Sequence, residues 1–369
     1  MIESRTTQRN FDGVRKSFVT LGSSLGAIVL ALVICAVLLL LTGKDPLVAY
    51  RQILETGLSG DKLLEMLKRA TPLMFSATAV AIGFKMNLFN IGVEGQYLFA
   101  ALIAAEMGTH VSLPAPLHVL FILLVAMIAG AAWASIAALL KIGRGVNEVI
   151  STIMLNFIAL SFIQWLFDNF FRDDSDGGLN VKTTKIAPSG RMPDLVHNRL
   201  SGMFIVALIV VALYWVVVFR SRFGFQLRAS GLNPIAARTA GIPANRMVLL
   251  ALMLSGAVAG LVAMPSVIGD VYGYGPSATP TQFGFAGIAV ALLGRNHPVG
   301  IVSAALLFGF LDSTSAELQL SGVPSSIVKV IQAIIVLVVV IVNEASSRWL
   351  NRRTAERAAI ALKGLASVA

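Results

Sequence analysis

Leu117-His-Val-Leu-Phe-Ile-Leu-Leu-Val-Ala-Met-Ile-Ala-Gly-Ala-Ala-Trp-Ala-Ser-Ile-Ala-Ala-Leu-Leu140 carries no Asp, Glu, Lys or Arg until Lys141. A helix of about 20 apolar residues crosses the hydrocarbon of a bilayer, so this stretch reads as a membrane span. Comparable segments lie near 21–42, 67–86, 92–108, 149–168, 201–220, 247–268, 283–294, 298–312 and 325–343. Backbone polar groups in lipid must be satisfied within their own segment, which makes these helices. The expected fold is all-α, a polytopic membrane protein with about ten transmembrane helices.

Composition agrees with that reading. The 369 residues are 56% hydrophobic and only 13% charged, where a soluble domain is about a quarter charged. Mean hydropathy is +0.81. One membrane domain, 21–343, takes nearly the whole chain, between an N-terminus at 1–20 and a tail at 344–369. Arg5, Arg9, Arg15 and Lys16 precede the first apolar run, but its core is longer than a signal-peptide h-region and no A-x-A site follows. It reads as a retained span. The single cysteine, Cys35, supports no disulfide, zinc or redox motif. The histidines at 110, 118, 197 and 297 show no ligand spacing, and no metal, cofactor or catalytic residue is expected.

A net charge of +10 in a soluble chain would raise nucleic-acid binding; in a membrane protein it reflects basic residues gathered in cytoplasmic loops. With the N-terminus inside, 18 of the 29 Lys and Arg fall on the cytoplasmic side, including five between 220 and 246. Both termini are therefore expected in the cytoplasm.

Two places interrupt the clean spans. The first is Lys85-Met-Asn-Leu-Phe-Asn-Ile-Gly-Val-Glu-Gly-Gln96; the second is Gly269-Asp-Val-Tyr-Gly-Tyr-Gly-Pro-Ser-Ala-Thr-Pro-Thr-Gln282, ahead of a short span. Polar, irregular backbone at membrane depth is tolerated only where protein buries it or it lines a cavity. Spans 2–5 begin outside and spans 7–10 inside, with one break in each set. That is the arrangement of an inverted repeat, whose paired breaks point to a transport pathway. The run Gly95-Gln-Tyr-Leu-Phe-Ala-Ala-Leu-Ile-Ala-Ala105 also resembles Gly284-Phe-Ala-Gly-Ile-Ala-Val-Ala-Leu-Leu-Gly294, and chance similarity among small-residue spans is the competing explanation.

Asn87, Asn90 and Gln96 offer donors and acceptors, Glu94 is an intramembrane carboxylate, and Gln282 and Phe283 close the second break. These six are the candidate pathway residues; the competing reading is that they satisfy unwound backbone or pack. The loop at 220–246 holds a short helix, Pro234 to Ala240, with Asn233 as its cap, Pro234 at its first position, Gly241 past its end and Pro243 forbidding continuation.

Phe89-Asn-Ile-Gly-Val-Glu-Gly-Gln96, Arg144-Gly-Val-Asn-Glu-Val-Ile-Ser-Thr-Ile-Met-Leu-Asn156 and Gly231-Leu-Asn-Pro-Ile-Ala-Ala-Arg-Thr-Ala-Gly-Ile242 resemble the permease subunits of bacterial ABC importers in the sugar, nucleoside and branched-chain amino acid group. Within it the chain looks most like the longer permease of nucleoside importers. The resemblance implies that helix 234–240 is a coupling helix seated on a cytoplasmic ATPase, carried by Gly231, Asn233, Pro234, Ala236, Ala237, Gly241 and Ile242. Arg238 offers a pair to an acidic groove there, or to lipid phosphate. It further implies a second, shorter permease, an extracellular or periplasmic binding protein and the bacterial inner membrane. The chain has no G-x-x-x-x-G-K-[ST] loop of its own, since Gly43-Lys44 runs into Asp45, so ATP belongs to a partner.

Glu148 suits a first helical turn, and Asn156 is a family marker without a task. Lys329 is placed to snorkel, and Ser346 to Leu365, with Trp349, Arg352, Arg353 and Arg357, reads as an interfacial helix on anionic lipid. The expected function is a nucleoside importer permease, with a simple-sugar permease as the runner-up and an ion-coupled carrier as the competing class.

Overall fold

The computed structural model describes residues 26–348, apart from 27–28, 38, 42, 58, 174–180, 197–198, 277–278, 280, 321–325, 343–344 and 346–347. The N-terminus at 1–20 and most of the expected tail helix lie outside the described residues. Two compact units divide the chain: Met1–Glu55 with Ser315–Ala369, and Thr56–Thr314.

In the first unit, α1 (Val29–Leu41) precedes α2 (Pro46–Gly57), and the Tyr50 hydroxyl of α2 donates to the Leu32 carbonyl at 2.6 Å. α14 (Ser326–Val342) buries Ile327, Ile331, Ile335, Val338 and Val339, an apolar stripe at helical spacing.

The second unit holds α3 (Gly60–Phe84), α4 (Val93–Thr109), α5 (Ala115–Arg144), α6 (Glu148–Leu166), α7 (Met203–Trp215), α8 (Arg222–Leu232), α9 (Pro234–Thr239), α10 (Ala244–Gly260), α11 (Met264–Val267), α12 (Phe283–Leu293) and the greater part of α13 (Pro298–Leu320). Single π turns, Phe167–Phe171 and Val216–Arg220, prolong α6 and α7. α5, α6, α7, α10 through α11, and α13 are long and apolar enough to cross a membrane, while α1, α12 and α14 are apolar but shorter. α3 is 25 residues long; its first turns carry Asp61, Lys62, Glu65, Lys68 and Arg69, and from Ala70 to Gly83 it is buried. The chain is thus an all-α polytopic membrane protein. One small departure is a hairpin of β1 (Asp194–Val196) and β2 (Leu200–Ser201), paired antiparallel between α6 and α7.

α10 is the central helix, and glycine lets α5 reach it. A Cβ on Gly260 would stand 2.1 Å from the Ala126 carbonyl, and one on Gly256 would stand 2.4 Å from that of Gly130. Hydrocarbon supplies no hydrophobic drive between helices, so small residues that let backbones touch take its place. α5 stops where Gly145 adopts φ 67°, and α6 starts where the Asn147 side chain accepts the Val149 amide at 2.8 Å. Lys141 reaches Glu148 at 2.6 Å across that turn.

An aromatic ladder joins α4, α5 and α6. Phe99 packs on Trp133 at 4.8 Å between centroids, Trp133 on Phe162 at 6.0 Å, and Phe162 on Trp165 at 5.9 Å. At one end of the unit the segment after α6 folds over the segment after α11: the Thr183 amide donates to the Tyr274 carbonyl at 2.8 Å and that of Ile186 to Tyr272 at 2.9 Å. At the other, basic end, Lys85 and Arg228 both stand over the Phe219 ring, at 5.0 and 5.7 Å.

Candidate functional site

The first break starts at the basic end. α3 closes with Lys85, and Asn87 turns the chain with φ 53°, a left-handed conformation that asparagine tolerates better than most residues. Its amide donates to the Gly231 carbonyl at 2.8 Å. The chain then re-enters the protein. Asn90 and Gln96, each 1% exposed, form a reciprocal amide pair at 3.0 and 2.9 Å. Asn90 also donates to Ser255 at 2.8 Å, and Ser255 donates to the Ala79 carbonyl at 2.6 Å. From α6, Asn156 donates to the Ile91 carbonyl and accepts the Gly95 amide, both at 2.9 Å. The break is thereby fastened to α3, α6 and α10, with buried polar groups satisfied pairwise.

Glu94, in the first turn of α4, is mostly buried. One carboxylate oxygen accepts the Tyr97 hydroxyl at 2.8 Å and the Gln282 amide at 2.5 Å, and the other accepts the Gly284 amide at 2.7 Å. The second break therefore ends on the first. The Ser76 hydroxyl adds a bond from α3 to the Phe283 carbonyl at 2.7 Å, and a Cβ on Gly287 would lie 1.9 Å from that hydroxyl. Eleven residues give α12 a length of about 16 Å, half the hydrocarbon thickness.

Beside Phe283 opens a cleft of about 680 Å³, whose rim carries Glu65, Lys68, Arg69, Arg199 and Asp270. Lys68 pairs with Asp270 at 2.7 Å, Arg69 with Glu65 at 2.6 Å, and Arg199 with Asp61. Partial burial pushes the Glu65 carboxyl up, but hydrogen bonds from Arg69 and Lys62 outweigh this and hold it below its ordinary value.

The loop helix lies under the first break. Asn233 accepts the Ile235 and Ala236 amides, both at 3.0 Å, Pro234 takes the first position, and Gly241 has φ 80°. α9 ends at Thr239, with Ala240 as its cap, one residue short of the expected end. Ala237 and Ile242 pack with Met86, Leu88, Leu227 and Met247, and a Cβ on Gly231 would lie 2.6 Å from the Met86 Cα. Leu232 and Ile235 point away from this core, 83% and 76% exposed. Ala236 is exposed beside them, and Arg238 is held by the Asn245 side chain at 2.7 Å.

Of the six expected pathway residues, Phe283 lines the cleft, and Asn87 and Gln282 are exposed. Asn90 and Gln96 are enclosed with their groups engaged, and Glu94 is occupied by backbone amides. In this chain those three side chains are turned to protein groups. Asn156, a residue without an expected task, holds both sides of the first break. Its one visible signal is an amide in an otherwise apolar span.

Residues 62–340 match the family described as branched-chain amino acid transport system / permease component. The chain belongs to this permease family. The permease is 38% identical to the guanosine ABC transporter permease protein NupP of Bacillus subtilis over 322 residues, 85% of this chain and 91% of that one. It is 31% identical to the nucleoside ABC transporter permease protein NupB of Lactococcus lactis, over 85% and 89% of the two chains. It is 34% identical to the glucose ABC transporter permease protein TsgB13 of Haloferax volcanii, over 86% of each chain. A second guanosine permease of Bacillus subtilis, NupQ, shares 30% identity over 67% of this permease and 79% of itself. The permease is a transport component of the membrane and not an enzyme.

Proposed function

We propose that this permease forms one half of a nucleoside path through the bacterial inner membrane, paired with a second, shorter permease and fed by an extracellular or periplasmic binding protein. A separate cytoplasmic ATPase binds and hydrolyses the ATP and seats on α9. The observation that carries the reading is the placement of α9. Its capped, partly buried body packs on Met86 and Leu88 of the first break, while its own Ile235 and the preceding Leu232 are left open as apolar surface. A push on this helix reaches the break through direct contact.

The orientation that suits this places the basic end, with Lys85, Arg228 and α9, in the cytoplasm and the charged cleft outside. Ten crossings follow if α1, α3, α4, α5, α6, α7, α10 with α11, α12 with the segment before it, α13 and α14 each count once. The inverted repeat then pairs α3–α6 with α10–α14, each half broken after its first span. Three relatives named as guanosine or nucleoside permeases favour nucleosides, and the presence of two guanosine permeases in one Bacillus favours a partner permease. TsgB13 keeps a simple sugar as the second reading.

The test is uptake of labelled guanosine and glucose in cells expressing the permease together with a second permease, an ATPase and a binding protein. The expected result is guanosine uptake that stops when residues 234–240 are replaced by a Gly/Ser loop. Nucleoside movement by the permease reconstituted alone under an ion gradient would overturn the reading.

A further inference from the structure

α12 begins without a local cap. Gln282, at the N-cap position, has φ 72° and directs no side-chain hydrogen bond to the first turn. Four amides at a helix start lack intrahelical partners, and in an apolar interior each needs an acceptor. Here the acceptor comes from a distant part of the chain. Both oxygens of Glu94 face the start of α12, at 2.5 Å from the Gln282 amide and 2.7 Å from the Gly284 amide. The fit is close on every side. A Cβ on Gly284 would stand 2.8 Å from the Glu94 amide, so only glycine brings α12 this near. Tyr97, one turn along α4, braces the carboxylate at 2.8 Å.

We infer that Glu94 is a positioning residue that clamps the starts of α4 and α12 into one mechanical unit and makes no contact with the transported solute. A carboxylate suits the task for two reasons. It accepts on both oxygens and donates on neither, and its negative charge meets the positive end of the α12 dipole. A glutamine presents an amide hydrogen to one of the two backbone N–H groups. An aspartate, one methylene shorter, does not reach both. The clamp also accounts for an acidic residue at membrane depth without a coupling ion, since both its oxygens accept from protein groups. Its consequence for transport, which rests on the proposed importer reading, is that α9 moves α12 whenever it moves the first break.

The test reads the clamp directly. The full chain, with Cys35→Ala, carries spin labels at Phe89→Cys and Phe285→Cys, two half-exposed positions flanking the joint. It is placed in lipid nanodiscs and the label separation is measured by pulsed electron resonance. The expected result is one narrow distance with Glu94 present, and a distribution at least twice as broad with Glu94→Gln or Glu94→Asp. An unchanged width in a folded variant overturns the inference. Glu94→Asp keeps the charge and serves if the glutamine variant does not fold. In the assembled transporter, Glu94→Gln is expected to lower maximal uptake about tenfold and leave the half-saturating solute concentration within twofold. A tenfold rise in that concentration at unchanged maximal uptake would make Glu94 a solute ligand and overturn the inference. The spin-label readout needs no solute, so its failure is separate from failure of the nucleoside reading.

Discussion

Asn156 shows how a single amide can hold an irregular segment in an apolar setting. It supplies a donor to Ile91 and an acceptor to Gly95, two backbone groups with no helical partner of their own. Asn156→Leu leaves both unpaired and is expected to cost about 2–4 kcal/mol, read as a lower thermal midpoint in detergent. The Asn90–Gln96 pair predicts non-additivity: either leucine substitution strands the other amide. The double substitution should therefore cost about 1–2 kcal/mol less than the sum of the singles in a double-mutant cycle. At this scale the sequence is legible where both partners are local. Asn233, Pro234 and Gly241 declare their helix because a cap and its amides lie within three residues. Glu94 is conspicuous as an acid among apolar residues, yet its backbone partners are 188 and 190 residues away and nothing local names them. Ser76 and Ser255 give no signal, since small hydroxyls are ordinary packing residues in membrane helices.

Among elements, the crossing of α5 and α10 leaves little tolerance because backbone meets backbone. Gly260→Val drives a branched side chain into the Ala126 carbonyl and is expected to destabilise by about 3 kcal/mol or more, measured by thermal unfolding in detergent. Gly143, also on α5, has open space where its Cβ would lie, so Gly143→Ala should be neutral or stabilise by about 0.5–1 kcal/mol. Asn233→Ala removes the α9 cap and is expected to cost about 1 kcal/mol, read as a lower thermal midpoint in detergent. Long apolar helices are plain in the sequence because hydropathy alone reveals them. α8 is not, because its arginines and glycines obscure an amphipathic pattern, and a hairpin as short as β1–β2 has too few residues to show alternation.

For the whole molecule, hydropathy locates membrane material more surely than it counts crossings. α3 hides its length behind a charged start, and α12 is too short to cross unaided. The two breaks stand out in the sequence as polar runs, but that they meet, and that α9 lies beneath one of them, depends on packing between segments far apart in the chain. The aromatic ladder of Phe99, Trp133, Phe162 and Trp165 gives this arrangement an optical signature. Indole and phenyl rings held tilted or stacked about 5–6 Å apart couple their transitions, so the folded permease should show a strong near-ultraviolet circular dichroism band. Trp133→Leu should remove most of that ellipticity while far-ultraviolet helicity stays. Trp165 is half exposed on α6 and Trp133 is enclosed, so brominated lipid should quench the first and spare the second. The molecule thus carries its own spectroscopic gauge of whether α4, α5 and α6 remain in register.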